Sequence, residues 1–348
     1  MRSVIVHGPR QVSVDVVPDP VLPDAGGAVV AVEAAAICGS DLHFYDGDLP
    51  FFPVAVGHEV VGRVVEVGAD VRRFRVGDRV LVASVAGCGA CVGCATGDPV
   101  TCLQGAQVFG SGLLGGGQSE LLAVPAADFQ LLAVPEGIDD DAALLLTDNL
   151  GTGWAGAQRA DIPPGGTVVV LGLGAVGQCA VRAALLQGAG RVLAVDPVAG
   201  RRDRAAASGA EPLVVGEEGL AEAVKALTGG RGADSVIDAV ATDSSLDDAL
   251  AAVRAGGTVS VIGVHDLAPY PLPVLMGVFR SLTLRMTTAP LHRTWAQLVP
   301  LVQHGRLHTG DLITHRFALD DAAAAYAAVA SRSAEVLKVR LDVAGSGA

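Results

Sequence analysis

The stretch from Thr167 to Asp196 constrains the fold of this chain more than any other. Thr167-Val-Val-Val-Leu171 is a compact β-branched run, Gly172-Leu-Gly-Ala-Val-Gly177 follows it without a break, and an alanine-rich helical segment runs from Gln178 to Gln187. A second apolar run, Arg191 to Val195, ends at Asp196. A tight glycine turn between strand and helix lets backbone amides approach a pyrophosphate at the helix N-terminus. Gly172, Leu173, Gly174, Ala175, Val176 and Gly177 are therefore candidates for binding a dinucleotide. A carboxylate at the end of the second strand can accept hydrogen bonds from an adenine ribose, which favours NAD because a 2'-phosphate would meet like charge. Arg201 and Arg202 pull the other way, since a guanidinium there can bind that phosphate.

Beyond Asp196, helical segments (Arg201 to Ser208, Leu220 to Leu227, Ser245 to Ala252) alternate with extended ones (Pro212 to Val215, Ser235 to Asp238, Thr258 to Val264). That rhythm builds a parallel sheet. The first part of the chain reads differently. Ala28 to Glu33, Val60 to Val67 and Arg79 to Ser84 are short extended runs between glycine-containing turns, the texture of an antiparallel, loop-rich domain. The pattern changes near residue 151 and again near 290, where helical segments at Thr294 to Gln303 and Leu319 to Ser331 precede a terminal strand, Leu337 to Val343. Val259 to Val264 and Ser281 to Arg285 are either exposed edges open to pairing or inner strands of a sheet.

Four of the six cysteines fall in Cys88-Gly-Ala-Cys91-Val-Gly-Cys94 and Cys102. Four thiolates so spaced can close around one zinc, leaving no position for a substrate and acting as a crosslink. An iron-sulfur cluster is the competitor, but the ferredoxin pattern closes with a shorter final gap. In a reducing compartment, clustered cysteines are expected as metal ligands instead of a disulfide framework. The N-terminus turns polar too soon for a secretory leader, and runs such as Val168 to Leu173 are too short to span a bilayer. A net charge of -13 argues against a nucleic-acid surface. A cytoplasmic protein with neither nucleic-acid nor membrane partner is expected. The only lysines are Lys225 and Lys338, and the arginine excess carries no functional weight.

Cys38-Gly-Ser-Asp41 and Gly57-His-Glu59 make a second cluster of chemistry-bearing residues. Cys38 and His58 can donate sulfur and nitrogen to a metal, with Glu59 as a further or labile ligand and Asp41 as a partner for the histidine. The competing reading is an inert thiol and a packed imidazole. Spacing does not select Asp148 from the other aspartates.

Cys38-Gly-Ser-Asp-Leu-His43, Gly57-His-Glu59, the four-cysteine loop, Thr147-Asp148 and the glycine turn nevertheless occur in one order that resembles the zinc-dependent medium-chain alcohol dehydrogenases. The resemblance implies an α/β architecture: a GroES-like β-rich catalytic domain from residues 1–150 and 290–348, and a Rossmann-fold coenzyme domain with a parallel sheet from 151–289. It assigns Cys38, His58 and Asp148 to a catalytic zinc, with Glu59 nearby, and Cys88, Cys91, Cys94 and Cys102 to a structural zinc. It also implies that Ser40 touches the alcohol, that His43 ends a proton relay, and that Asp196, Arg201 and Val264 join the glycine turn in binding NAD. The implied reaction is reversible oxidation of an alcohol, a secondary one as the expected class, to a ketone or aldehyde. A polyol or formaldehyde-type dehydrogenase is the alternative enzyme, and an inactive NAD-binding zinc protein the alternative class. The loop Phe109 to Gly117, Trp154 and Met286 are candidates for the substrate wall, each with an equal claim to simple packing. A homodimer or homotetramer is implied as well.

Overall fold

The computed structural model describes residues 1–343. The chain divides into two compact units, Met1–Gly151 with the described part of Ala289–Ala348, and Thr152–Thr288.

The first unit is built on a seven-stranded sheet. Its centre is Ala28–Ile37, which pairs antiparallel with Glu59–Val67 on one side and with Lys338–Asp342 on the other. Strands from opposite ends of the chain thereby become neighbours: Glu59 lies opposite Ala36, and Val339 opposite Ile37. The register brings Cys38, which follows the central strand, close to both Glu59 and Lys338. Val30, Val60, Val64, Val80, Val82 and Leu122 fill the core of this unit, against Tyr326 from the helix Ala322–Ala330. A smaller sheet adds the hairpin Arg2–Gly8 and Gln11–Val16, whose second strand alternates polar and apolar residues.

The second unit carries a six-stranded parallel sheet: Thr167–Leu171, Arg191–Val195, Glu211–Leu213, Ala233–Asp238, Val253–Val261 and Thr283–Met286. Counted along the chain, the spatial order is third, second, first, fourth, fifth, sixth. That is the doubly wound order in which a dinucleotide sits where the winding reverses, beside the first strand. Val168, Val169 and Val170 are wholly buried, as a strand covered on both faces requires. Val253–Val261 pairs on both sides and is an inner strand, whereas Thr283–Met286 ends the sheet. Of the two segments in question, only the second is an edge. Among the described residues no helix is long and apolar enough to cross a membrane.

Candidate metal and coenzyme sites

Cys38 leaves the central strand of the first unit, His58 and Glu59 sit where Glu59–Val67 begins, and Asp148 immediately precedes the helix Asn149–Arg159. One ligand atom from each of Cys38, His58, Glu59 and Asp148 lies within 4.8 Å of all the others, and all four residues are buried. The Asp148 Oδ2 atom is 3.7 Å from Cys38 Sγ and 3.3 Å from His58 Nε2. On the other side of the ring, His58 Nδ1 faces Asp41 Oδ1 at 3.5 Å. Such a carboxylate holds a histidine so that its far nitrogen can serve a metal. Asp41 is itself held: its Oδ2 accepts from Cys38 N at 2.9 Å and from Gln118 Nε2 at 3.0 Å, while Tyr326 donates its hydroxyl to Gln118 Oε1 at 2.9 Å.

Glycine makes the approach to His58 possible. Gly57 has φ +96°, and a Cβ on it would lie 2.4 Å from Gln118 Cγ. Within the loop read as substrate wall, Gly110 and Gly116 press on the backbone of Val56 and Gly57 so closely that a Cβ would meet it at 2.5 and 2.4 Å. These glycines therefore shape the segment that carries His58. Trp154 is buried in the second unit, and Met286 is exposed on the terminal strand of its sheet.

The cluster suits a divalent cation. Burial by itself would depress the His58 imidazole, yet Asp41, Cys38 and Asp148 hold it well above its usual pKa. The negative surroundings that retain a proton there would equally retain a metal. Burial raises the Glu59 carboxyl against the opposing pull of Lys338, which donates to Oε1. Asn149 Nδ2 also donates to that oxygen, at 3.1 Å, and Oε2 has no partner among the described residues. Ser40 stands at the start of the helix Asp41–Asp46 with helical φ −69° and ψ −25°, and its hydroxyl makes no capping bond. His43, partly buried, has Nδ1 3.1 Å from Asp48 Oδ2.

Cys88, Cys91, Cys94 and Cys102 form the other convergent group. Cys88 and Cys94 sulfurs are 4.0 Å apart, as are those of Cys91 and Cys102. Four sulfurs at about 2.3 Å from a tetrahedral zinc would stand about 3.8 Å from one another. Amides of Cys94 and Leu103 point at Cys91 Sγ, both at 3.4 Å, and bring that thiol down to about 6. Burial pushes Cys94 up to about 12, a cost that a bound cation would offset. Gly93 lets the lobe close, since a Cβ there would meet the Thr101 carbonyl oxygen at 1.9 Å.

In the second unit the three glycines of the turn do different work. Gly172 takes φ +79°, a Cβ on Gly177 would meet the Gly172 carbonyl oxygen at 1.8 Å, and Gly174 faces open space at the N-terminus of the helix Ala175–Leu186. The pattern is that of a tight turn, a close helix-to-strand approach and an unobstructed backbone. Asp196 Oδ2 accepts from Leu173 N and its Oδ1 from Val198 N, both at 2.8 Å, which ties the carboxylate to the turn. Arg201 Nη1 lies 3.8 Å from Asp196 Oδ2, and Val264 is half exposed just past the fifth strand.

Residues 24–136 match the family described as alcohol dehydrogenase GroES-like domain, and residues 175–304 the family described as zinc-binding dehydrogenase. A probable zinc-binding alcohol dehydrogenase of Mycobacterium tuberculosis is 59% identical over 97% of this chain and 88% of its own length. The chain belongs to the zinc-dependent medium-chain alcohol dehydrogenase family. Among solved structures, the alcohol dehydrogenase TADH from Thermus sp. ATN1 superposes on this dehydrogenase with a TM-score of 0.91 at 34% identity, covering 99% of this chain and all of that one. An Escherichia coli alcohol dehydrogenase complexed with NADH has a TM-score of 0.85 at 28% identity, with 99% of each chain covered.

Sequence reasoning overlooked four residues around the Cys38 cluster: Lys338, Asn149, Gln118 and Tyr326. Lys338 did carry a signal. It is one of two lysines, and it opens the terminal strand Lys338–Asp342, where its side chain is buried. A lysine so placed needs a buried anion. Gln118, Asn149 and Tyr326 stand out from no pattern and acquire their partners only through folding.

Proposed function

We propose that this dehydrogenase reversibly oxidises an alcohol, preferentially a secondary one, to a ketone or aldehyde with NAD, using a zinc held by Cys38, His58 and Asp148. The observation that carries this reading is the buried convergence of those three donors with Glu59, in a chain that also has the glycine turn and Asp196. Bound zinc supplies Lewis acidity toward the alcohol or carbonyl oxygen, and the nicotinamide takes or gives the hydride.

The protein's own part is positional and protolytic. Asp41 fixes the His58 ring, and Gln118 and Tyr326 fix Asp41. The uncapped Ser40 hydroxyl is available to take the alcohol proton, and His43, steadied by Asp48, to pass it outward. A second zinc, in the lobe of Cys88, Cys91, Cys94 and Cys102, closes that loop without joining the chemistry. Asp196 accepts from the ribose of the coenzyme, with Gly172 to Gly177 against the pyrophosphate and Arg201 and Val264 beside it. Arg202 Nη1 donates to the Asp196 carbonyl at 2.5 Å and Arg201 Nη1 stands 3.8 Å from the Asp196 carboxylate, which draws both guanidiniums toward Asp196. That supports NAD over NADP.

The thiol-rich sites call for a reducing compartment, in keeping with a cytoplasmic location. We also propose a homodimer or homotetramer formed through the edge strand Thr283–Met286. The helix Val274–Phe279 exposes Leu275, Val278 and Phe279.

Metal analysis joined to an activity screen tests the reading. Zinc in both clusters and turnover of secondary alcohols with NAD are expected, with turnover lost and the lobe zinc kept in His58→Ala. An occupied cysteine lobe beside an empty Cys38 cluster, or near-normal turnover in His58→Ala, would overturn it.

A further inference from the structure

Lys338 and Glu59 form an ion pair with side chains 2% and 0% exposed, beside the donors proposed to hold the catalytic zinc. Lys338 reaches this place because its strand pairs with Ala28–Ile37, whose end leads to Cys38. Both Lys338 Nζ and Asn149 Nδ2 donate to the same oxygen of Glu59, Oε1. The other oxygen, Oε2, is buried without a partner among the described residues, and Glu59 offers a ligand atom within 4.8 Å of those of Cys38, His58 and Asp148. One side of this carboxylate is thus saturated and the other open.

Charge explains why a lysine belongs there. A Cys38 thiolate and the carboxylates of Glu59, Asp148 and Asp41 together outweigh a divalent cation by two negative charges, and Lys338 is the buried cation beside Glu59 that reduces that excess. Without it, a buried carboxylate this close to a metal would find its best partner in the metal itself. It would then fill the position that a catalytic zinc keeps open for substrate.

We propose that Lys338 is a positioning residue that holds Glu59 by Oε1 and so keeps the fourth position of the catalytic metal open to an exogenous ligand. The proposal rests on the reading of Cys38, His58 and Asp148 as metal ligands. Asn149 assists as a neutral second donor to the same oxygen.

Cobalt(II) placed in the catalytic site tests this, with its visible absorption followed as imidazole is added. The closed four-thiolate lobe has no open position and stays silent in the imidazole difference spectrum. Wild type and Lys338→Arg are expected to show saturable spectral shifts of similar midpoint. Lys338→Met is expected to show a carboxylate-shifted cobalt spectrum before any addition and at least tenfold weaker imidazole binding. The double variant Lys338→Met with Glu59→Gln should recover the wild-type midpoint. If Lys338→Met does not fold, Lys338→Gln, which keeps an N–H donor but no charge, is read in the same way. A neutral variant that binds imidazole like the wild type, or a double variant without recovery, overturns the role of Lys338. Failure of the wild type to take up cobalt at Cys38 and His58 would instead overturn the metal-site reading.

Discussion

Replacing His292 with Phe should make the first unit less sensitive to mild acid. His292 lies on the helix Leu291–Gln303, stacked on Phe129 with ring centroids 3.9 Å apart and planes within 5°, and tilted against Trp295 at 5.4 Å. With Leu131, Leu132 and Val299 these rings line a cavity of about 450 Å³. Neither ring nitrogen of His292 has a hydrogen-bond partner among the described residues. Burial lowers its pKa from 6.5 to about 4. Between those values the unfolded chain binds a proton that the folded chain refuses, so stability rises with pH across the window. The contribution is complete above about pH 6.5, drains away as the pH falls, and levels off below about pH 4, where both states are protonated. A gap of about 2.5 units corresponds to about 3.4 kcal/mol in full, of which about 2 kcal/mol is lost between about pH 7 and pH 5. Urea unfolding of metal-replete protein, followed by tryptophan fluorescence at those two pH values, measures it. Phe preserves the stacked ring and cannot titrate, so wild type should lose about 2 kcal/mol more than the variant. Parallel losses would refute the assignment of a neutral buried imidazole.

Gly177→Ala should force the helix Ala175–Leu186 away from Gly172, weakening NADH binding at least tenfold by fluorescence titration and costing about 1–3 kcal/mol of stability; unchanged affinity would count against the close approach. Asp196→Ala should weaken NAD more than NADP, and an unaltered ratio of their dissociation constants would reject its contact with the ribose. Cys91→Ser should release the lobe metal and lower the melting temperature, so an unchanged metal content and melting curve would defeat the four-thiolate assignment. Gln118→Leu leaves Asp41 and Tyr326 short of a buried partner and should cost about 1–3 kcal/mol, with faster loss of metal from the Cys38 cluster to a chelator; unchanged stability and metal retention would remove Gln118 from the network that holds Asp41.

Legibility in the sequence followed the range of the interactions involved. The cysteine lobe and the glycine turn are local, so each residue's role is set by neighbours a few positions away and shows in the spacing. Even there the sequence pattern started the helix too late, at Gln178. Glycine is a poor helix former, and only contact with the Gly172 carbonyl explains Gly177 inside the helix Ala175–Leu186. The family resemblance made the loop from Phe109 to Gly117 a substrate-wall candidate. Two of its glycines, Gly110 and Gly116, press on the backbone of Val56 and Gly57, a partner far away in sequence.

By itself the sequence determined the glycine turn, the convergent cysteine lobe and the change of pattern near residue 151, because backbone geometry and side-chain spacing act over short distances. Only the tertiary structure decided the buried cluster of candidate metal donors and its support. Cys38, Glu59 and Lys338 are brought together by pairing across one sheet whose strands come from both ends of the chain, and Asp148 is singled out from the other aspartates by the cluster it joins. Charges that lie far apart along a chain acquire meaning only when burial removes water and leaves them to one another.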